Sequence, residues 1–301
     1  MLNNSKDNEL LTKNQLGVLY GIASVACFAM MDASVKWLDM IPVGQVLFAR
    51  FFFGLIPILM LVPRSEFKTF YKTTRPKLHT ARAIFGTLAI VSLFIALREM
   101  PLADVVSITL AGPIFVTLGS IFFLSEKVGV RRWSAVFIGF IGMLMIVKPA
   151  YDDLNVFYIF PIIFCIFFAG VALSIRSLST TEPNYRIALY FSLLSMVVGL
   201  ATLPFGWVMP SKFELFLLIF TGFIGSVANI LLTISLRIAE ASLVTPTKYL
   251  NLVFAILLGY FIWGEIPKVL TLLGSGLIIA SSIIIFVRES KLKKEVISPR
   301  P

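Results

Sequence analysis

The chain has 301 residues, of which 58% are hydrophobic and only 14% are charged, and its formal net charge is +10. Soluble globular chains are about 45–50% apolar and about 25% charged, so a soluble fold would leave too much apolar surface exposed. The basic residues lie mainly in short segments between apolar runs, which is typical of membrane topology and does not indicate a nucleic-acid partner. The two cysteines lie inside apolar runs, and the sequence predicts no disulfide framework, metal site or cofactor.

Ten apolar runs are long enough to cross a hydrocarbon core, which takes about 20 residues. In chain order they cover residues 17–38, 43–62, 79–98, 101–124, 131–148, 155–175, 185–208, 213–236, 240–263 and 268–287. We therefore predict an all-α integral membrane protein with ten transmembrane helices. Polar residues 1–16 precede the first span as a cytoplasmic tail, and residues 289–301 form a basic cytoplasmic tail.

The sequence of the chain is internally doubled. Residues 81–149 match residues 220–288 without a gap, with Gly86 falling on Gly225 and Glu126 on Glu265. This match predicts two related five-helix units, residues 17–149 and 155–288. Because each unit crosses the membrane an odd number of times, the second unit enters from the opposite side and the two repeats are inverted.

Loop charge supports the inversion and sets an orientation. If the N-terminus is cytoplasmic, the basic residues of the outer segments are only Lys36, Arg98, Lys148, Lys212 and Lys268, and the inner segments hold most of the remainder. Such a bias follows the positive-inside rule. We therefore predict an inner or plasma membrane protein, in contact with membrane lipid, with both termini in the cytoplasm.

Several short motifs resemble the ten-helix EamA type of the drug/metabolite transporter superfamily. They are Pro101-Leu102-Ala103-Asp104, Gly112-Pro113-Ile114-Phe115-Val116, Ser125-Glu126-Lys127-Val128-Gly129, Ala241-Ser242-Leu243-Val244 and Gly264-Glu265. Residues 246–250 are similar to the same segment of S-adenosylmethionine uptake members, and the first half also resembles carriers of the riboflavin class. The resemblance implies a secondary transporter that moves a small organic metabolite by alternating access around a midplane cavity, with protons or a counter-substrate as coupling partners.

Two charges lie at similar depth in the first two spans. Asp32 and Arg50 are each about 10 Å from the outer ends of their helices at 1.5 Å per residue. An ionised side chain at the bilayer centre costs about 2.5–3.5 kcal/mol, so such residues normally face a partner or a cavity. Two interpretations stay open, a static pair that holds the helices together and a substrate or proton site.

A third intramembrane charge, Lys248, follows Pro246 in the ninth span. A proline break frees carbonyl groups and commonly lines a cavity, and Pro113 plays the matching part in the fourth span. We predict that Lys248 binds an anionic group of the substrate, a carboxylate first, with Tyr249 and Asn251 as orienting groups. Alternatively, the lysine extends to the cytoplasmic surface, roughly 12 Å away by helix rise.

Weaker candidates complete the predicted site. Thr109 and Asn229 are predicted hydrogen-bonding groups of the cavity, although contacts between helices explain them equally well. Asp104, near the outer end of the fourth span, is with Asp32 a candidate for coupling. Arg82, near the start of the third span, is expected to anchor to lipid head groups, and Glu265 is expected to have a structural role at a helix end.

Other functions remain as alternatives. The same fold also suits an exporter of amino acids or drugs. A membrane enzyme is a remote alternative, because the single histidine, His79, has no partners for metal or triad chemistry. An interaction subunit without transport would not need the intramembrane charges.

The predicted orientation is testable with single cysteines placed at Lys72 and at Asp153, after Cys27 and Cys165 have been replaced. The inverted repeat and the positive-inside bias put these positions on opposite sides of the membrane. A membrane-impermeant thiol reagent added to intact cells should label position 153 and should label position 72 only after lysis. Labelling of both positions from one side would contradict the topology.

Overall fold

The computed structural model describes residues 4–66, 69, 71–124, 130–147, 155–239 and 241–297. Every regular element in these ranges is helical. The α-helices are α1 (Asn4–Trp37), α2 (Val43–Met60), α3 (Pro76–Glu99), α4 (Leu102–Thr109), α5 (Gly112–Leu124), α6 (Val130–Val147), α7 (Ile159–Leu178), α8 (Asn184–Ala201), α9 (Lys212–Ile238), α10 (Ala241–Val244), α11 (Leu250–Trp263) and α12 (Val269–Ile297).

The predicted fold class is confirmed. Within the described ranges, nine helical segments are long and apolar enough to cross a membrane, and Trp133–Val147 of α6 is a shorter apolar helix. Together these ten segments match the ten predicted spans. The protein is therefore a multi-pass membrane protein made of two repeats of five spans.

The fourth and ninth spans, which cover runs 101–124 and 240–263, are both broken. The fourth divides into α4 and α5, and the ninth divides into α10 and α11 with a 3-10 turn over Thr245–Tyr249 between them. Pro113 and Pro246 lie at these breaks, where the missing N–H of proline interrupts the helical ladder. The two breaks overlap when the repeats are aligned, so the same span is interrupted in both halves, although the two prolines are not at equivalent positions.

Helix packing follows the repeat. In chain order α1 to α6 correspond to α7 to α12, and corresponding pairs make corresponding contacts: α1 packs on α9 as α7 packs on α3, and α2 packs on α9 as α8 packs on α3. The sixth elements of the two halves pack on each other, and Gly142 and Gly274 allow their backbones to touch, because a Cβ at Gly274 would lie 2.4 Å from the Gly142 carbonyl oxygen. The two halves are therefore related by an approximate twofold axis.

We call the face at which α1 begins the terminal face and the opposite one the distal face. At the distal face, Lys36 at the end of α1 forms an ion pair with Glu265, with Nζ 2.6 Å from Oε1. Lys36 also donates to the Met100 carbonyl at 2.5 Å, and Oε2 of Glu265 accepts from the backbone N–H of Leu102 at 2.8 Å. A carboxylate is favourable at this position because Leu102 is the first residue of α4. These contacts close the distal face by joining α1, α3, α4 and the α11–α12 connection.

At the terminal face, a second polar network joins the loop after α2 to the start of α8. Glu182, which is 6% exposed, accepts from Thr73 at 2.6 Å and from Arg186 at 2.8 Å. Burial alone would raise the pKa of Glu182, but these hydrogen bonds and the positive charge of Arg186 outweigh it and lower the pKa below its ordinary value. Tyr185 donates to Glu66 in the same network.

The distal ion pair gives the second testable prediction. Lys36→Met or Glu265→Gln leaves one partly buried charge without its partner and should lower the stability of the purified protein by roughly 1.5–3 kcal/mol, the range for hydrogen bonds to charged groups. The double variant should lose less than the sum of the two single losses. Thermal unfolding in detergent measures these differences, with the exposed Lys268→Met as the matched control. Additive losses would remove the ion pair as the closing contact.

Candidate substrate cavity

A cavity of about 390 Å³ lies between α2, α3, α7, α8 and α9, towards the terminal face. Its volume is within the range of about 300–1,000 Å³ that small-molecule sites occupy. Leu61, Asn184 and Leu236 at its rim are exposed. Its buried polar residues are Arg50, Arg82, Ser192 and Ser226, its exposed polar residues include Asn229, and the apolar walls include Phe51, Ile58 and Phe191.

Arg50 extends from α2 towards α9. Its side chain is 5% exposed, and Nη1 donates to the Gly222 carbonyl at a long 3.3 Å, while Nε is buried with no hydrogen-bond partner in the described structure. A Cβ at Gly225 would lie 2.5 Å from Cζ of Arg50, so only glycine leaves room for the guanidinium here. Arg50 is thus held in place by packing and retains an unsatisfied donor.

Arg82 lies six residues into α3 and is 9% exposed. Its guanidinium carbon lies 4.3 Å from the centre of the Phe191 ring, and Nε and Nη1 are buried without a hydrogen-bond partner among the described residues. Among the described residues, no carboxylate forms an ion pair with Arg82. The ring attracts the cation but does not neutralise it.

Neutral polar residues line the same cavity as the two arginines. Ser226 donates to the Gly54 carbonyl at 2.9 Å, and Asn229 donates to the Gly225 carbonyl at 2.9 Å. The amide oxygen of Asn229 therefore remains available as an acceptor. Asn229 is the one neutral residue of the predicted site that lines this cavity.

Asp32 is 6% exposed, and its buried Oδ1 has no hydrogen-bond partner among the described residues. Asp32 and Arg50 interact electrostatically but do not form an ion pair within 4.0 Å. Asp32 is also not among the residues that line the cavity. The structure thus brings the two charges close enough to influence each other without the direct contact of a static pair.

Lys248, Tyr249 and Asn251 lie at the break of the ninth span and not on the wall of this cavity. Lys248 is exposed, and the buried Oδ1 of Asn251 has no hydrogen-bond partner in the described ranges. Thr109 lies at the break of the fourth span, where it donates to the Val106 carbonyl at 2.8 Å. Contact of the substrate with these residues at the two breaks stays a prediction.

Asp104 lies near the distal face and has both carboxylate oxygens engaged. Oδ2 accepts from the hydroxyl of Tyr158 at 2.5 Å, and Oδ1 accepts from Thr271 at 2.8 Å. The residue is 4% exposed. Hydroxyl donors satisfy this carboxylate locally, whereas Asp32 has no such donors.

Arg82 is the cavity residue that sequence reasoning missed. We expected a head-group anchor because the residue is near a helix start, but α3 begins at Pro76 and α8 covers the side chain with Phe191. Arg98, in the last turn of α3, donates to the carbonyls of Leu38 and Ile41. The internal repeat contained a signal for this residue. Arg82 corresponds to the neutral Thr221, so the charge is present in only one of the two halves.

Comparisons with known proteins place the chain in a family. The EamA-like transporter family matches residues 15–148 and again residues 156–287. The chain is 28% identical over 285 residues to an S-adenosylmethionine uptake transporter of Rickettsia bellii, covering 94% of this chain and 98% of that protein. It is 30% identical over 270 residues to a pseudopaline exporter of Pseudomonas aeruginosa, covering 89% and 94% of the two chains.

Two further similarities agree with this placement. A riboflavin transporter of Rhizobium johnstonii is 25% identical over 287 residues, which is 93% of each chain. A solved structure aligns with a TM-score of 0.63 and 15% identity, over 90% of this chain and 96% of its own length, and supports the fold. The relatives are named as transporters and not as enzymes.

The relation between Asp32 and Arg50 gives the third prediction. If each charge stabilises the other, Asp32→Asn and Arg50→Gln should each lower melting temperature or transport, and the double variant should be less impaired than the two losses combined. Thermal unfolding and flux measured on the same preparations separate the two roles. A stable double variant without transport identifies a functional pair, and strict additivity in both assays would show that the two charges act independently.

Proposed function

The chain belongs to the EamA-like transporter family, and we propose that it carries a small organic metabolite with an anionic group, a carboxylate first, across the membrane by alternating access. The class of compound is amino-acid-like, S-adenosylmethionine-like or vitamin-like. The relatives named for S-adenosylmethionine, riboflavin and pseudopaline support a small organic metabolite as the substrate.

The observation that carries the proposal is the presence, on the wall of one cavity, of two buried arginines whose N–H groups have no hydrogen-bond partner among the described residues. A buried guanidinium with unsatisfied donors is costly, so a protein that carries two of them gains something from those donors. A guanidinium presents paired donors that match the two oxygens of a carboxylate. An anionic ligand supplies the missing charge and the missing acceptors together.

Alternating access is supported by the difference between the two faces. The distal face is joined by the Lys36–Glu265 ion pair, while the cavity has an exposed rim at the terminal face. One closed and one accessible side is what a single end state of such a transporter requires. With both termini in the cytoplasm of an inner or plasma membrane, as loop charge predicts, this state is open to the cytoplasm.

For coupling to protons or to a counter-substrate, Asp32 is the stronger candidate of the two predicted carboxylates. Its Oδ1 lacks a hydrogen-bond donor and it interacts electrostatically with Arg50. An anion bound to Arg50 would weaken the electrostatic attraction between Arg50 and Asp32. Asp104 already accepts two hydroxyl hydrogen bonds and fits a structural role better.

The fourth prediction tests which cations contact the substrate. A library of organic acids and other metabolites is screened for thermal stabilisation of the purified protein, since a ligand that binds the folded state raises its apparent stability. For the compound found, Arg82→Gln and Arg50→Gln should each weaken binding at least about tenfold, which is the scale of losing one hydrogen bond to a charged group. Arg82→Lys should retain part of the affinity because the charge remains.

Two control variants complete this test. Arg237→Gln removes an exposed arginine at the end of α9 and should leave affinity unchanged. Lys248→Met keeps bulk while removing the charge at the ninth-span break, so a loss of affinity as large as that of Arg82→Gln would extend the site to the break. Unchanged affinity in both arginine variants would contradict the proposal. Proteoliposome flux of the same compound then tests transport itself.

A further inference from the structure

The two cavity arginines lie at two different interfaces that the repeat makes equivalent. Because α2 corresponds to α8 and α3 to α9, the contact of α2 with α9 corresponds to the contact of α8 with α3. Arg50 extends from α2 onto α9, and Arg82 lies where α3 meets α8. Each of the two equivalent interfaces between the halves therefore holds one guanidinium.

Matched glycines hold both cations at their own interfaces. Gly86 and Gly225 correspond in the repeat, and a Cβ at Gly86 would lie 2.4 Å from Nη1 of Arg82, just as one at Gly225 would lie 2.5 Å from Nη2 of Arg50. The same gap in the two halves is thus filled by a guanidinium in each.

An aromatic path connects the two cations across the cavity. The guanidinium of Arg50 lies 5.5 Å from the centre of the Phe51 ring, the rings of Phe51 and Phe191 are 4.8 Å apart in an edge-to-face arrangement, and Arg82 lies 4.3 Å from Phe191. All four residues line the cavity. Its wall therefore presents a cation, two apolar rings and a second cation in sequence.

We infer, on the basis of the proposed function, that the substrate carries two separate anionic groups, one bound by Arg50 and one by Arg82, joined by an apolar segment that packs on Phe51 and Phe191. A single carboxylate at one interface leaves the guanidinium at the other interface with buried N–H groups that no acceptor satisfies, which is costly in an apolar interior. Two carboxylates neutralise both. The ligand then contacts both equivalent interfaces between the halves.

The test compares linear dicarboxylates from succinate to suberate with their monomethyl esters, which keep the length but carry one charge. Titration calorimetry on the purified full-length protein at neutral pH gives the affinities. The best diacid should bind at least about tenfold tighter than its own monoester, since a second charge-assisted hydrogen bond is gained. Arg82→Gln should remove this difference, and so should Arg50→Gln, while Arg237→Gln should preserve it.

The outcomes separate the two hypotheses. A monoester that binds as tightly as its diacid overturns the two-anchor inference and leaves the proposed function intact. No measurable binding of any carboxylate to the wild-type protein contradicts both. Melting temperatures of the variants identify folding defects, and Arg82→Lys, which keeps the charge but not the paired donors, should retain part of the preference for the diacid.

Discussion

A positive charge inside an apolar interior needs a partner, and the way in which this chain meets that need separates its structural from its binding charges. Lys36 has a carboxylate at 2.6 Å and a backbone carbonyl at 2.5 Å, and it joins helix ends at the distal face. Arg50 and Arg82 have glycine gaps and ring faces, which fix their positions but leave N–H groups unsatisfied. The satisfied cation holds helices together, and the unsatisfied cations remain available to a ligand.

The inverted repeat supplies this interior with one backbone plan used twice. Overlapping helix breaks, equivalent interfaces and equivalent glycines appear in both halves, because each half must solve the same packing problem in lipid. The side chains at the equivalent positions then differ. Thr221 occupies the place that Arg82 has in the first half, and Phe191 packs on Gly86 where Arg50 packs on Gly225. Both cations are therefore carried by the first half and contact helices of the second.

The sequence was sufficient for the fold because lipid imposes long apolar runs and places positive charge on one side, and both signals are linear along the chain. The break at Pro246 was equally readable, since proline removes a backbone donor wherever it lies. The cavity was less accessible to sequence reasoning. Depth along a helix placed Asp32 and Arg50 at one level, but it does not give the rotation of each helix, and Arg50 turns towards α9.

Arg82 shows the same limit of sequence reasoning, because here a cavity residue was missed. Its nearness to a helix start suggested a head-group anchor, and only the packing of α8 across α3 shows that the side chain is enclosed. Lys248 was predicted from the break it follows, and the break is present, yet its contact with substrate depends on side-chain directions that spacing along the chain does not determine. Which helix covers a charge is a property of tertiary packing, and the linear pattern carries it weakly.

The placement of the two arginines also suggests how occupancy and movement are linked. Closing the terminal face removes water from the cavity, and this raises the cost of two unneutralised cations because their attraction to solvent is lost. Under the proposed function, an empty transporter is held open by its own charges, while an anionic ligand removes the penalty and permits closure. A ligand shifts a conformational equilibrium only by binding one state better than the other. Neutralisation of the cations in a closed cavity provides that difference in binding. Because Arg50 and Arg82 lie at equivalent interfaces, a ligand that contacts both residues would influence the α2–α9 and α3–α8 contacts together.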